Sequence, residues 1–157
     1  MAFKTDCGGT AMTANIKLSN KATTWNTRLS QIGRHNEPVT IVTFSLCDFE
    51  YISMILSKRD HGAGITLICN SKYEANAYVM KKAFPEAKIY VNPHAHAKLA
   101  LVAPETVWVS TENMGRKRNS FDATVGIHSK EAYDHYYTQV QNFLTCRDTT
   151  EIKEVYA

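Results

Sequence analysis

Two short apolar runs constrain this chain most: "VTIVTFSL", Val39 to Leu46, and "ITLICN", Ile65 to Asn70. Both are rich in β-branched residues and neither alternates apolar with polar positions. That is the pattern of strands buried on both faces. The segment between them, "FEYISMILSKRDH", has helical spacing, with Asp48 placed to cap its start and Gly62 and Gly64 to stop it. A strand, a helix and a second strand thus open an alternation of the two element types. The alternation continues with "KYEANAYVMKKAF", a helix capped by Ser71 and ended by Pro85, and with "AKIYVN", a third short strand.

Past Pro93 the pattern changes. "HAKLALVA" and "TVWVST" read as a strand pair turned at Pro104 and Glu105, and "DATVGIH" as one more strand. "SKEAYDHYYTQVQNFLTC" closes the pattern as an amphipathic helix capped by Ser129. Upstream, Trp25, Leu29 and Ile32 in "KATTWNTRLSQIGRHN" have helical spacing, residues 1–20 read as a loose arm or a short strand, and the polar tail 146–157 extends the last helix or frays. The expected architecture is one α/β domain over residues 1–157, with its core at about 38–144. It is a mixed β-sheet flanked by helices on both faces.

Composition agrees with a single domain. The chain has 157 residues, 44% of them hydrophobic and 21% charged. A net charge of +3 permits an anionic substrate without announcing one. Cys7, Cys47, Cys69 and Cys146 show no CxxC spacing and read as free thiols of a reducing compartment, with Cys47 and Cys69 as small buried hydrophobes. No apolar run suits a signal peptide or a membrane span, so cytoplasmic placement without membrane partners is the expectation.

The chemistry concentrates in "HAHAKLALVAPETVWVSTEN". In a strand, His94, His96 and Lys98 project to one side, and Thr111 and Asn113 share a side of the next. Imidazole, ammonium, hydroxyl and amide gathered in a hairpin suit a phosphoryl group. Three of them donate hydrogen bonds, one carries fixed charge, and the histidine serves as nucleophile or as acid and base.

His96, Lys98, Thr111 and Asn113 resemble the phospholipase D superfamily signature HxKxxxxDxxxxxxGSxN, with Asn113 seventeen positions after His96. Ala103 stands at the aspartate position, Ser110 at the glycine and Thr111 at the serine. The resemblance implies a phospholipase D-like fold and metal-independent phosphodiester hydrolysis without a cofactor. It also implies a carboxylate on the following strand that bonds the catalytic histidine, a place Asp122 occupies. In that reading His96, Lys98, Asn113 and Asp122 are catalytic. Ser110, Thr111, His94, Arg116, Lys117 and Arg118 bind substrate, the last three as a basic rim on flanking phosphates. Because the chain carries the signature from HxK to Asn only once and the superfamily reaction uses two facing histidines, the resemblance implies a homodimer sharing one site, as in the superfamily's small nucleases. DNA or RNA is the implied partner.

Blander readings stand beside these. His35, His61, His128 and His135 read as structural histidines, and Arg116 to Arg118 fit an exposed turn equally well. His94 with His96 forms an HxH pair, but without a third ligand nearby in sequence metal binding is not expected. Tyr133, Tyr136, Tyr137 and Phe143 read as core or dimer interface rather than a base-stacking surface. Two other functions fit the chain. One is a catalytically degenerate module that binds nucleic acid or protein. The other is a phospholipid-headgroup phosphodiesterase.

Overall fold

The computed structural model describes residues 15–19, 36–113, 115 and 122–153. The helix expected around Trp25 and most of the arm before residue 20 lie outside them. Among the described residues the strands are β1 (Asn15–Ser19), β2 (Val39–Val42), β3 (Ile65–Asn70), β4 (Lys88–Asn92), β5 (Leu99–Val102), β6 (Thr106–Ser110), β7 (Thr124–His128) and β8 (Thr150–Ile152). The α-helices are α1 (Phe49–Leu56), α2 (Glu74–Ala83) and α3 (Lys130–Leu144).

The strands form one sheet in the order β1-β7-β6-β5-β2-β3-β4-β8. β2, β3 and β4 pair in parallel, as their crossover helices require, and every other neighbouring pair is antiparallel. The mixed sheet expected from the sequence is therefore observed.

Helices cover both faces. Along β2, Val39 and Ile41 point to one face, where they join Ile65, Leu67, Ile89 and Val91 under α1 and α2. α1 contributes Tyr51, Ile52, Ile55 and Leu56, an apolar stripe one turn apart along its axis. Val42, Ile68, Leu101 and Val107 point the other way, under Ala132, Tyr133 and Val140 of α3. Tyr136 and Phe143 also pack into this second core, as their helical spacing implies, while Tyr137 stays largely exposed.

Local chemistry explains most boundaries. Asp48 accepts the Tyr51 N–H at 3.0 Å and Ser129 accepts the Ala132 N–H at 3.2 Å, both acting as N-caps. Four expectations need correction. β2 stops at Val42, because the chain bends at Phe44 instead of continuing to Leu46. α1 ends at Leu56, ahead of a short 3-10 turn over Asp60–Gly62, and Gly62 and Gly64 take positive φ in the turn that leads to β3. Asn70 caps the turn before α2, where Ser71 had been expected, since its side-chain oxygen accepts the Lys72 N–H. In the described part of the tail, up to residue 153, the chain does not prolong α3: residues 150–152 form β8 against β4.

Cys69 is buried and its thiol is pushed up to about 12 by desolvation. Cys47 is exposed instead of buried, because it follows the bend that ends β2. No helix of the described residues is long and apolar enough to cross a membrane.

Gly126 shows how closely the sheet face is packed. It lies opposite Trp108 across β6 and β7, and a Cβ there would clash with the indole ring. Gly126→Ala should therefore destabilise the fold by about 1–3 kcal/mol through overpacking, measured by urea denaturation. The buried Cys69 thiol makes a second prediction. Its folded pKa lies above its ordinary 9.0, so the unfolded chain ionises first. Stability should fall as pH rises from about 9 to about 12, and Cys69→Ala should flatten that slope.

Candidate active site

All the predicted site residues that the structure describes sit at one end of the sheet. The chain leaves β2, β3, β4 and β6 there and enters β5 and β7. Crevices beyond the carboxyl ends of parallel strands are common ligand sites in open α/β sheets. His94, His96 and Lys98 do not share a strand face, because β5 begins at Leu99 and residues 95–98 are irregular. Thr111 and Asn113 likewise lie past the end of β6.

Register joins the two halves of the motif. Leu99 pairs with Val109, and beyond that pair the Ser110 N–H donates to the Lys98 carbonyl at 2.9 Å. Lys98 and Thr111 are thus brought to neighbouring strand ends. The Lys98 ammonium donates to the His96 carbonyl at 3.2 Å, folding over the loop that carries the imidazole.

The Asn113 side chain is tied to the segment after β2. Its amide oxygen accepts from Phe44 N at 3.2 Å and Ser45 N at 3.1 Å, with the Thr43 hydroxyl at 3.4 Å. With the oxygen so engaged, the amide NH2 is the end left to donate to a ligand. Asn113 also fixes the bend after β2. The Phe44 ring there meets His96, with ring centroids 5.5 Å apart. His96 and Asn113, distant in sequence, therefore converge on Phe44.

The remaining candidates divide. Thr111 donates its hydroxyl to Asp122 at 3.0 Å and accepts the Ala123 N–H at 3.0 Å. This bond joins the loop after β6 to the approach to β7. Ser110 is buried, contrary to the expectation that it faces substrate. Its hydroxyl is engaged with Thr124 at 3.1 Å and with the Glu112 N–H, because the β6 alternation turns it inward. His94 turns toward Asp148, with Nε2 3.5 Å from the carboxylate. Arg116, Lys117 and Arg118 lie outside the described residues. Among the described residues, no group of three His, Cys, Asp or Glu side chains is placed to hold a metal ion.

Sequence reasoning missed the residues that position the histidine loop. Asn70, nearly buried, donates to the Pro93 carbonyl at 3.0 Å and the Ala95 carbonyl at 3.1 Å, one on each side of His94. Asn92, fully buried, accepts the His94 N–H at 2.7 Å and donates to the Thr149 hydroxyl at 2.9 Å. A signal was present: "ITLICN" and "KIYVN" both end in asparagine, whose side chain readily bonds the backbone just beyond it. Also at this mouth are Lys72 and Tyr73. Tyr73's hydroxyl is held above its ordinary pKa by desolvation and then by the neighbouring Cys47 thiol.

No protein-family model matches the sequence, and no curated protein matches it. Solved structures do. The chain is similar to NucT from Helicobacter pylori, with a TM-score of 0.68 and 16% identity, over 84% of this chain and 96% of that one. It is similar to Nuc from Salmonella typhimurium, a phospholipase D family member, with a TM-score of 0.71 and 11% identity, over 90% and 99% of the two chains. It is also similar to phosphatidylserine synthase from Haemophilus influenzae, with a TM-score of 0.68 and 9% identity, over 90% of this chain and 40% of that one. The fold is phospholipase D-like.

Asn70→Ala should leave the Pro93 and Ala95 carbonyls without these donors. The expected cost is about 1–3 kcal/mol in urea denaturation. Hydrogen exchange should show the largest loss of protection around residues 93–98.

Proposed function

We propose that the protein is a metal-independent phosphodiesterase that hydrolyses DNA or RNA at a site shared by two copies of the chain. The observation that best supports this reading is the Ser110-to-Lys98 backbone bond, which sets the loop of His96 and Lys98 and the loop of Thr111 and Asn113 at neighbouring strand ends. The phospholipase D-like fold, shared with Nuc and NucT, supports it.

In this mechanism the His96 imidazole attacks phosphorus and forms a phosphohistidine while the P–O bond to the leaving strand breaks. The partner subunit's His96 protonates the departing oxygen and then takes a proton from water, which attacks the phosphohistidine and frees His96. Lys98 and the Asn113 amide hold the non-bridging oxygens. The lysine ammonium groups of the two copies neutralise charge that metal ions neutralise in other phosphoryl-transfer enzymes. Asp122 acts on the chemistry by holding Thr111 or by orienting the histidine. Arg116, Lys117 and Arg118 would grip flanking phosphates.

Two copies are needed because the site end of one chain supplies a single HxK set, the other such triplet, His128 to Lys130, lying at the opposite end of the sheet where His128 pairs with Thr106, and one imidazole cannot be nucleophile and leaving-group acid in the same step. Sedimentation or light scattering should give twice the 17.7 kDa chain mass.

The deciding experiment is cleavage of plasmid DNA and mixed RNA in excess EDTA by wild type and His96→Ala. Wild type should nick or degrade at least one polymer. The variant should lose about 10³-fold or more, the scale on which loss of a catalytic nucleophile is felt. Equal cleavage by both proteins would remove His96 from the mechanism. Absence of cleavage, with release of phosphatidic acid from phospholipid vesicles, would replace the nuclease reading with a headgroup hydrolase.

A further inference from the structure

Holding and attacking a phosphate calls for cations and hydrogen-bond donors, yet the mouth of this site also carries an aromatic pair. The Phe44 and Tyr73 rings meet edge to face, with centroids 5.7 Å apart. Both are half-buried, so part of each ring reaches solvent. Phe44 touches the His96 ring, and the Lys72 ammonium lies over Phe44 at 6.0 Å from its centroid.

We propose that Phe44 and Tyr73 form a nucleobase-stacking subsite beside the scissile phosphate, and that the preferred substrate is single-stranded nucleic acid. This inference deepens the nuclease reading above and rests on it. Three observations carry it.

The platform is rigid before a ligand arrives. The Phe44 N–H is held by the Asn113 amide oxygen, and the Phe44 carbonyl accepts the Asn70 N–H at 3.1 Å. A base stacking there meets a ring whose backbone is already ordered. The platform also lies at the right distance: Phe44 contacts His96 directly, so a base on it belongs to a nucleotide adjoining the phosphate under attack. Lys72, finally, is exposed on a flexible stem. It covers the ring as a cation until a base arrives, and can then swing to the neighbouring phosphate.

Strand preference follows from the geometry of the base. In a duplex each base is paired and covered on both faces by its neighbours, so its π-face reaches an aromatic side chain only after unstacking. In a single strand that face is already accessible, and stacking on aromatic side chains is the usual means of holding it. A phospholipid headgroup offers no such face.

The test compares three oligonucleotides in excess EDTA: a single strand, its duplex, and the same single strand with abasic nucleotides around the cleavage position. The abasic strand keeps every phosphate and loses the bases. Wild type should cut the normal single strand about tenfold or more faster, in kcat/KM, than the abasic strand or the duplex. In Phe44→Leu the ratio of normal to abasic cleavage should fall toward one, whatever loss both substrates share through a slackened His96, and Phe44→Tyr should keep the ratio. An unchanged ratio in Phe44→Leu would overturn the proposal, leaving Phe44 as a support for His96 alone. Equal cleavage of single strand and duplex by wild type would overturn it as well.

If wild type cuts none of the three, the nuclease reading fails, and binding then decides the subsite separately. Phosphorothioate versions of the normal and abasic strands, titrated by fluorescence anisotropy, should differ about tenfold in Kd for wild type and agree for Phe44→Leu. Equal Kd values for wild type would end the proposal.

Discussion

The backbone hydrogen bond from Ser110 N–H to the Lys98 carbonyl is the interaction on which the site depends. It prolongs the β5–β6 ladder one step beyond the last strand pair, Leu99 with Val109. A slip of one residue in that register would turn Leu101 and Val107 out of the second core and reverse every side chain of β6. The apolar contacts of both faces therefore hold the register, and the register places an HxK loop beside a TxN loop. Stability and site geometry are the same constraint at this point. Strand β2 reinforces it by pairing in parallel with β3 on one side and antiparallel with β5 on the other.

Three buried or half-buried amides then turn strand ends into a shaped mouth. Where a sheet ends, backbone donors and acceptors lose their ladder partners and need others. Asn70 and Asn92 meet that need for the loop carrying His94 and His96, and Asn113 meets it for the bend at Phe44. Asn70 and Asn113 bind backbone of another segment, and Asn92 joins the His94 N–H of its own loop to the Thr149 hydroxyl, so the loops are ordered relative to one another before any substrate binds. Such preorganisation is what electrostatic stabilisation of a phosphoryl group requires, since loops that reorganise during reaction return the gain. It also explains how Asn113 can serve two ends: its oxygen holds the bend while its NH2 remains available to a ligand.

The likeness to Nuc, NucT and a phosphatidylserine synthase fixes the fold and does not choose a substrate. That choice falls to the side chains at the mouth. Lys72 and Lys98 supply positive charge that any phosphodiester would meet favourably. In the proposed reading Phe44 and Tyr73 discriminate further, because a planar aromatic surface next to His96 matches a nucleobase and not a small polar headgroup.

Much of the fold was legible in local sequence. β-Branched runs at Val39 and Ile65 are too apolar for anything but strands covered on both faces, and Asp48 and Ser129 announce helix starts by short-range bonding. His96, Lys98, Thr111 and Asn113 were legible as a set because their spacing survives in the linear chain. What local sequence does not contain is the company each residue keeps. Burial of Ser110 follows from its inward position beside Thr124, and His94 turns outward because Asp148 arrives from the far end of α3. β8 was illegible for the same reason: a short polar segment becomes a strand when β4 offers it a free edge. Phe44 read as one more apolar residue of a strand until tertiary contacts bent the chain there and set its ring against His96. The sequence by itself determined which residues are candidates for phosphoryl chemistry and which segments must be buried, because residue type and periodicity are local properties. Tertiary structure alone decided which of those residues meet, because sheet register and the amide bonds across strand ends join positions far apart along the chain.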